Sequence, residues 1–259
     1  MKITFLGGGN MANALIGGMF KQGFAAADIT VIDPGSAARD KLERTYAVNC
    51  LETGEMLDNI GDLLVLAVKP QQMKDAVTPL VDKLGNAVVV SIAAGLDLAT
   101  LARFLGGHRK IVRCMPNTPA LIGAGITGLC PLPEVSAAER EAADCVLSAV
   151  GSTVWIDDEG RMDGVTALSG SGPAYVFLFI EALQQAAADL GFTPEQGRQL
   201  AIETVQGAAA LAAQSDEPAS VLRERVTSKG GTTEAALNTM AEKGVKERII
   251  AGVKAAETR

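Results

Sequence analysis

The 259-residue chain has only one histidine, and aromatic side chains make up only 4 % of its residues. With His108 as the one imidazole, metal sites that need several histidines are excluded. A Ser-His-Asp triad would have to use the same residue, which lies in a glycine-rich polar segment typical of an exposed loop, and the sequence has no G-x-S-x-G motif. The sequence therefore offers neither a histidine-rich metal site nor support for a serine or cysteine nucleophile that is activated by histidine.

Positive charge and long apolar runs are also scarce. The chain has 23 Lys and Arg residues against 30 Asp and Glu residues, a formal net charge of −7, and no block of basic residues. Such a chain is a poor candidate for binding nucleic acid or an anionic membrane surface. No apolar stretch reaches about 18 residues without a glycine or a charge, so the sequence predicts no membrane span.

Cysteine is limited to four residues, and no two of them form a C-x-x-C pair. Met1 and Lys2 run directly into a strand-like segment, and the early glycines cut that apolar run short, which is unlike a secretory leader. We therefore expect a reduced, cytoplasmic, soluble protein whose cysteines pack as small buried hydrophobic residues. The four are Cys50, Cys114, Cys130 and Cys145.

The first half of the chain alternates short apolar runs with helical patterns. The runs are apolar throughout, which is typical of strands that are covered on both faces. Strands separated by helices imply right-handed crossovers and a parallel sheet. The predicted strands are Ile3–Leu6, Ile29–Ile32, Leu63–Val68, Val88–Ile92 and Ile111–Cys114, and the predicted helices between them include Met11–Gln22 and Ala37–Arg44.

The second half, from about Asp163 onward, has no β-branched run and is helical in pattern. Thr193 is placed to cap a helix that has Pro194 at its first position and Gln196 three residues after the cap. Ala174–Leu183 is apolar almost all round, which is typical of a helix buried on more than one side. A further helix is predicted over Glu234–Lys254.

The polar stretch Asp157–Gly160 separates these two halves. It predicts two domains, an α/β domain over residues 1–159 and a helical domain over residues 160–259. A helical domain this short cannot build a large core of its own. We therefore expect it to pack against a second copy of the chain.

A glycine motif, Gly7-Gly8-Gly9-Asn10-Met11-Ala12, directly follows the first predicted strand and opens a helix. It fits the pattern G-x-G-x-x-A of dinucleotide-binding proteins. In that interpretation Gly7 makes the tight turn, Gly9 lets the backbone approach a pyrophosphate, and Ala12 allows close helix–strand packing. The alternative is a glycine-rich turn without a ligand.

The second predicted strand ends beside Asp33, about 20 residues past the glycines, where an acidic residue accepts hydrogen bonds from the adenosine ribose and favours NAD. Ser36 and Arg39 follow closely and could instead hold the 2′-phosphate of NADP. Arg39 could equally be a solvated helix charge. The choice of cofactor therefore stays open.

Two further segments carry unusual composition. The segment Val226–Glu234 combines glycines, threonines, a serine and a lysine just before a predicted helix, and backbone N–H groups at such a helix start suit a carboxylate. The segment Ser169–Pro173 is a second glycine-rich helix start. Taken alone, the first is equally explained as a capped helix after a flexible turn, and the second as a packing turn.

Together, six segments resemble the pyrroline-5-carboxylate reductase family and occur in the family's order along the whole chain. They are FLGGGNMA (Phe5–Ala12), AVKP (Ala67–Pro70), SIAAG (Ser91–Gly95), RCMPNTP (Arg113–Pro119), SGSGPAYVF (Ser169–Phe177) and VTSKGGTTEAAL (Val226–Leu237).

The resemblance implies a Rossmann-type, doubly wound parallel sheet followed by an all-α dimerisation domain, with active sites at a dimer interface and assembly up to a homodecamer, a pentamer of dimers. It implies reduction of 1-pyrroline-5-carboxylate to L-proline by NADPH or NADH. The cofactor-binding residues that the resemblance implies are Gly7, Gly9, Asn10, Met11, Val68, Lys69 and Ala94. Gly8 of the glycine motif and Asp33 after the second strand complete the predicted cofactor site. The implied substrate-binding residues are Ser228, Gly230, Gly231, Thr232 and Thr233.

Three positions depart from the family pattern. Asp33 stands where NADP-preferring members often have serine, and Gly54 and Arg225 stand where a cofactor-contacting asparagine is frequent. These departures argue against a strong preference for NADP. They leave the predicted substrate loop unchanged.

The missing acid–base residues fit this reaction, because a cyclic imine that is protonated near neutral pH accepts hydride without a strong side-chain acid. We expect Thr233 to be the catalytic residue, with its hydroxyl on the ring nitrogen. Two alternative functions remain. One is a 3-hydroxyacid dehydrogenase-like enzyme, which would need a catalytic lysine in the helical domain, and Lys229 is the lysine near its loops. The other is a non-catalytic NAD(P)-binding sensor. Activity on other cyclic imino acids stays open.

Overall fold

Short apolar runs form the strands of one eight-stranded sheet in the computed structural model, which describes residues 1–258. The strand order is β3-β2-β1-β4-β5-β6-β7-β8. The order reverses between β1 and β4, which is the switch point where doubly wound sheets bind ligands. The strands are β1 Ile3–Leu6, β2 Ile29–Ile32, β3 Asn49–Leu51, β4 Leu63–Leu66, β5 Val88–Ser91, β6 Ile111–Met115, β7 Gly125–Pro131 and β8 Gly151–Trp155.

The predicted fold class is confirmed, with one antiparallel pairing added. Strands β1 to β6 pair in parallel, β7 runs antiparallel to β6, and β8 pairs in parallel with β7. All five predicted strands are present within two residues of their expected ends. Strands β3, β7 and β8 were not expected, since β3 has only three residues and the other two contain glycines and exposed positions.

Helices cover both faces of the sheet. The hydrophobic core therefore consists of two layers, one on each face of the sheet. On one face, Leu15 and Met19 of α1 and Val146 of α5 are buried against the strands. On the other face, Val77 of α3 and Leu101 of α4 are buried. The helices of this part are α1 Asn10–Lys21, α2 Ser36–Tyr46, α3 Met73–Val77, α4 Leu98–Phe104, α5 Ala137–Leu147 and α6 Met162–Val165, and a π-helical turn Thr166–Gly170 follows α6.

The chain divides into two compact units, residues 1–170 and residues 171 onward. The predicted domain boundary lies earlier, at residue 159. The intervening segment packs on the sheet, where Met162 and Ala167 are each 1 % exposed. A Cβ placed on Gly128 of β7 would lie 2.7 Å from Val165 Cγ1, so the segment runs close over the sheet surface.

The second unit is entirely helical in its described part. Helices α7 and α8 pack together, and a Cβ placed on Gly197 would lie 3.0 Å from the Cβ of Ala187. Ala187 and Ala201 are the only buried hydrophobic residues that this unit shows within residues 171–258. The unit therefore has almost no core of its own. Its helices are α7 Gly172–Asp189, α8 Pro194–Ala213, α9 Ala219–Arg225, α10 Thr232–Glu242 and α11 Val245–Glu257.

The prediction of one helix over Glu234–Lys254 is wrong, because two helices occupy this range. Helix α10 ends at Glu242, and Gly244 adopts a φ of +66° before α11 begins. Left-handed backbone at a glycine ends a helix and lets the chain change direction. The predicted cap of α8 is confirmed, since Thr193 Oγ1 accepts from the Gln196 N–H at 3.3 Å.

Two expectations about single side chains are wrong. The four cysteines are free, but Cys145 is exposed, and Cys50 is half-buried, where burial raises the pKa of its thiol to about 11. His108 is half-buried instead of exposed. Its Nε2 lies 2.9 Å from the backbone oxygen of Ala87 at the amino end of β5, and burial lowers the pKa of the imidazole.

The sequence predicts no membrane span, whereas the structure contains one helical stretch, Glu159–Asp189, that has the length and composition of one. Only 11 % of its apolar window is buried. One such stretch is weak support for a membrane location. The exposed apolar side chains of α7 nevertheless require a covering partner of some kind.

The buried guanidinium of Arg113 joins residues 159–163 to the sheet through two ion pairs. Arg113 of β6 is 8 % exposed, and its guanidinium lies 3.1 Å from Glu159 Oε1 and 3.2 Å from Asp163 Oδ1. Glu159 Oε1 also accepts the Leu98 N–H at the start of α4, at 2.7 Å. One carboxylate therefore joins β6, α4 and the segment that leads towards the second unit.

We expect Arg113→Ala to lower the free energy of unfolding by about 2–4 kcal/mol, because it leaves Glu159 partly buried without its cation. Asp163→Asn is the matched control and should cost less than about 1 kcal/mol, since the Asp163 side chain is 67 % exposed. Urea denaturation of both variants measures the difference. Equal losses in the two variants would contradict the assignment of Arg113 as the residue that joins residues 159–163 to the sheet.

Candidate active site

All nine predicted cofactor-binding residues lie at the carboxyl edge of the sheet in the first unit. They occupy the segments that follow four neighbouring strands, β2, β1, β4 and β5, and two of them, Asn10 and Met11, begin helix α1. Ligands of open α/β sheets bind in the crevice at this edge. The nine are Gly7, Gly8, Gly9, Asn10 and Met11 after β1, Asp33 after β2, Val68 and Lys69 after β4, and Ala94 after β5.

Gly7 turns the chain sharply between β1 and α1. Its φ is +104°, and its N–H donates to the Ile32 carbonyl at 2.8 Å. A Cβ at this position would lie 2.7 Å from the Ala67 carbonyl oxygen and 3.1 Å from Val68 Cγ1. The loops after β1 and β4 therefore approach so closely that only glycine fits.

Helix α1 begins without any side chain that satisfies its first N–H groups. Gly9 is the N-cap, no side-chain hydrogen bond caps the helix, and its first turn contains no acidic residue. A Cβ on Gly9 would meet no atom within 4 Å, and Gly9 and Asn10 are exposed. An anion can approach this backbone freely, while Ala12 is fully buried against the sheet. The geometry fits a dinucleotide pyrophosphate.

Asp33 ties the glycine loop to the loop after β2. Its Oδ2 accepts the Gly8 N–H at 2.7 Å, and its Oδ1 accepts the Gly35 N–H at 2.8 Å. Arg39 donates from Nη1 to the Asp33 backbone oxygen at 2.7 Å and lies 3.6 Å from Glu52. Arg39 is therefore not a solvated helix charge, because a backbone oxygen and a carboxylate already contact its guanidinium and only 18 % of its side chain is exposed.

The other positions on this edge are less constrained. Lys69 is exposed ahead of Pro70, and Ala94 is exposed ahead of a tight turn at Gly95. Gly54, where the family pattern often has asparagine, is buried. A Cβ there would lie 2.5 Å from Leu80 Cδ2, so the packing of this chain leaves no room for a larger residue.

The five predicted substrate-binding residues lie together in the second unit, with Ser228, Gly230 and Gly231 in the turn before α10 and Thr232 and Thr233 in its first turn. Ser228 accepts the Gly231 N–H on its backbone oxygen at 3.0 Å, which closes the turn. Gly231 is the N-cap of α10, and no side chain caps the helix. The first-turn amides of Thr232 and Thr233 therefore face the same situation as those of α1, a helix start without a side-chain acceptor.

Glu234 is a member of this loop that the sequence reasoning missed. Its Oε2 accepts the Gly230 N–H at 2.7 Å, so that amide is already engaged. The signal for it was present, because a glutamate in the first turn of a helix commonly reaches back to the preceding backbone. Arg225, another departure from the family pattern, forms an ion pair with Glu217 instead of facing the loop.

Asn117, in the RCMPNTP segment, is a second residue that the sequence reasoning did not single out. Its Nδ2 donates to the Ser169 carbonyl at 3.2 Å, and its Oδ1 accepts the Ile126 N–H at 3.0 Å. It thereby joins the loop after β6, the start of β7 and the end of the segment that precedes the second unit. No local pattern indicates a pairing between residues so far apart in the chain.

Two family models match the chain. Residues 159–259 match the model described as pyrroline-5-carboxylate reductase dimerisation, and residues 2–95 match the model described as NADP oxidoreductase coenzyme F420-dependent. The pyrroline-5-carboxylate reductase of Pseudomonas aeruginosa is 44 % identical over 100 % of this chain and 95 % of its own length. The enzyme of the same name from Escherichia coli is 36 % identical over 96 % of this chain and 93 % of its own length.

Solved structures agree with these relatives. A pyrroline-5-carboxylate reductase from Coxiella burnetii superposes with a TM-score of 0.95 at 37 % identity, covering 100 % of this chain and 96 % of that one. The pyrroline carboxylate reductase of Plasmodium falciparum, solved with NADP bound, superposes with a TM-score of 0.86 at 29 % identity, covering the same shares. An imine reductase from Streptomyces aurantiacus, at 16 % identity and a TM-score of 0.59, shares the fold alone.

We expect Gly9→Ala to fold with a loss of no more than about 1 kcal/mol, because the new methyl group meets no protein atom. The same methyl group should weaken NADPH and NADH binding by about 10–100-fold if a pyrophosphate rests on this backbone. Fluorescence titration and thermal denaturation measure the two effects. Gly7→Ala is the contrast, since its clash with Ala67 should destabilise the fold itself. Wild-type cofactor affinity in Gly9→Ala would contradict the prediction.

Asp33→Ser should raise the ratio of NADPH to NADH affinity about 10-fold, because it removes a carboxylate that repels a 2′-phosphate. Dissociation constants for both cofactors give the ratio. Asp40→Asn is the charge-matched control, since Asp40 is exposed on α2 and contacts only Arg44 among the ion pairs. If the ratio moves equally in both variants, or in neither, Asp33 does not face the ribose.

Proposed function

The chain belongs to the pyrroline-5-carboxylate reductase family, and we propose that it reduces 1-pyrroline-5-carboxylate to L-proline with NADPH or NADH. One observation carries the proposal: a relative of that name is 44 % identical over the whole chain, and the chain contains both the SGSGPAYVF segment (Ser169–Phe177) and the VTSKGGTTEAAL segment (Val226–Leu237). The reaction is an oxidoreduction of a C=N bond and completes proline biosynthesis.

The first unit supplies the cofactor site. Gly7, Gly8 and Gly9 with Asn10 and Met11 would hold the pyrophosphate against the uncapped start of α1. Asp33 would accept from the adenosine ribose, and Val68, Lys69 and Ala94 would line the path along the carboxyl edge. When bound, the reduced nicotinamide supplies the hydride. We propose residues 1–159 as the domain that performs this role and residues 160–259 as the domain for dimerisation and substrate binding.

The second unit supplies the grip on the substrate carboxylate. The Gly230 and Gly231 amides are engaged by Glu234 and Ser228, whereas the first-turn amides and hydroxyls of Thr232 and Thr233 are available to a ligand. In this proposal Ser228, Gly230 and Gly231 shape the turn around the ligand. Thr232 and Thr233 then bind the substrate directly.

Thr233 has the catalytic role in this proposal. A pyrroline nitrogen that is protonated near neutral pH makes its carbon a good hydride acceptor, so a strong side-chain acid is unnecessary. The Thr233 hydroxyl hydrogen-bonds the ring nitrogen and steadies its proton. The loop amides orient the ring, and orientation alone is worth several kcal/mol of the barrier.

Self-association completes the proposal. The match of residues 159–259 to a dimerisation model supports a homodimer, with a pentamer of dimers as the larger assembly. Exposed side chains on α7 support it too, since Phe177, Leu178 and Phe179 are 64 %, 66 % and 49 % exposed. A partner subunit covering α7 accounts for the apolar stretch Glu159–Asp189 without a membrane. The proposed location is the cytoplasm, with no nucleic-acid partner.

The direct test is an assay of the purified chain with 1-pyrroline-5-carboxylate and each cofactor, with L-proline identified as product. We expect many turnovers per subunit, and little oxidation of small 3-hydroxyacids with NAD. Less than one turnover per subunit would favour a cofactor-binding sensor. Faster turnover of hydroxyacids would favour the dehydrogenase-like alternative, with Lys229 as its base.

Thr233→Ala should lower kcat/KM about 10–1000-fold, roughly the loss of one or two good hydrogen bonds in the transition state. Thr233→Ser keeps the hydroxyl and should recover most of the activity. Thr239→Ala, on the same helix, is the control, because the Thr239 hydroxyl only donates to the Ala235 carbonyl at 3.1 Å. Near-wild-type kinetics in Thr233→Ala would refute its assignment.

A further inference from the structure

We propose that Asn117 is a positioning residue of the reduction, which fixes the end of the π-helical turn Thr166–Gly170 over the carboxyl end of β6. The proposal rests on the proposed function, because it assigns Asn117 a role in that reaction. Asn117 does not touch substrate in this proposal. It acts through the backbone of Ser169.

The side-chain amide of Asn117 uses both of its ends. Nδ2 donates to the Ser169 carbonyl at 3.2 Å, and Oδ1 accepts the Ile126 N–H at 3.0 Å. Ser169 itself donates from Oγ to the Val165 carbonyl at 3.0 Å, so its own hydroxyl is directed back along the helix. The half-buried side-chain amide of Asn117 therefore bridges the start of β7, at Ile126, and the end of the π-helical turn, at Ser169.

The sequence explains why Ser169 needs a donor from outside its helix. In a continuous α-helix the carbonyl of residue 169 would accept the N–H of residue 173. Residue 173 is Pro173, which has no N–H. A carbonyl left unpaired in a partly buried site destabilises the fold, and the hydrogen bond from the Asn117 amide removes that penalty.

The Ser169 carbonyl lies at the part of the sheet edge where the reaction must occur. The glycine loop and Asp33 would place the adenosine end of the cofactor at β1 and β2, so the nicotinamide end belongs over β4, β5 and β6. Met115 ends β6, and a Cβ on Gly170 would lie 2.6 Å from Met115 Cε. The Ser169–Gly170 backbone therefore rests directly on the end of β6.

If the π-helical turn were mobile at this point, the reacting groups would be misaligned although the fold would stay intact. Misplacement of reacting groups by about 1 Å costs up to about 100-fold in rate. The expectation is a fall in kcat about 10–100-fold when the Asn117–Ser169 bond is lost, with a much smaller change in the KM for the cofactor. A purely structural role would instead lower the thermal midpoint and the active fraction, and leave kcat per active subunit unchanged.

The first test is amide hydrogen exchange of the full chain without ligand. Asn117→Asp keeps the acceptor for the Ile126 N–H but replaces the donor to Ser169 with a second acceptor. The peptide spanning residues 166–172 should then exchange at least about 10-fold faster than in the wild type. Asn86→Asp is the matched control, since Asn86 lies at the amino end of β5 and accepts from Lys110 at 2.5 Å. Unchanged exchange of residues 166–172 in Asn117→Asp would overturn the proposal.

The second test is the pH profile of kcat. The carboxyl group introduced by Asn117→Asp can donate to Ser169 only when it is protonated. The ratio of its kcat to the wild-type kcat should therefore rise as the pH falls from 7.5 to about 5.5, because the effect of pH on the substrate cancels in the ratio. A ratio that stays flat over this range would also overturn the proposal.

A third test uses a second site, in case Asn117→Asp folds poorly. Pro173→Ala restores an N–H four residues after Ser169, so it should recover part of the kcat lost in Asn117→Ala, and the double-mutant cycle should show a coupling between the two positions. Additive losses would count against the proposal. If the wild-type chain itself fails to reduce 1-pyrroline-5-carboxylate, the proposed function fails, and the exchange experiment still reports on the Asn117–Ser169 bond.

Discussion

The uncapped amino terminus of α1 is the constraint on which the first unit depends. A helix start with no side-chain acceptor and no acidic residue leaves its amides for an external anion, and the close approach of the loops after β1 and β4 keeps that start open. Ala12 is fully buried where α1 packs on the sheet, and the small side chain allows this close packing. The free amides at the start of α1 are therefore held by a well-packed helix. Helix α10 of the second unit also begins without a side-chain cap, at Gly231, but it differs from α1 in having an acidic residue, Glu234, in its first turn.

Much of the fold was predictable because strands that are buried on both faces of a sheet have a simple sequence pattern, a short run of apolar residues. Strand β4 is fully apolar and β5 is apolar up to Ser91, and a run of that kind between helices is typical of the middle of a parallel sheet. Strands β7 and β8 do not have this pattern, because Gly125 and Gly128 interrupt the one and the residues of the other are partly exposed. The break at Gly244 was missed since the apolar pattern continues on both sides of it.

In the candidate site, too, some features were predictable from the sequence and others were not. Turn chemistry is local, so the need for glycine at residue 7 and the helix starts at residues 10 and 232 are visible in the sequence. Bonds between distant residues are not, which is why Arg113 with Glu159, and Asn117 with Ser169, emerged only from the structure. These long-range pairs hold the segment between residues 159 and 170 on the sheet, and that segment leads directly to a unit with almost no core of its own.

Asp33 links the choice of cofactor to the order of the loop that receives it. Its two carboxylate oxygens hold the Gly8 and Gly35 amides, so any other residue at position 33 has to satisfy both donors as well as suit a new ribose substituent. Serine offers one oxygen for this task, and a neutral amide offers one acceptor. An evolutionary path from one dinucleotide to the other therefore passes through intermediates with a loosened glycine loop, unless compensating changes at residue 8 or residue 35 come first.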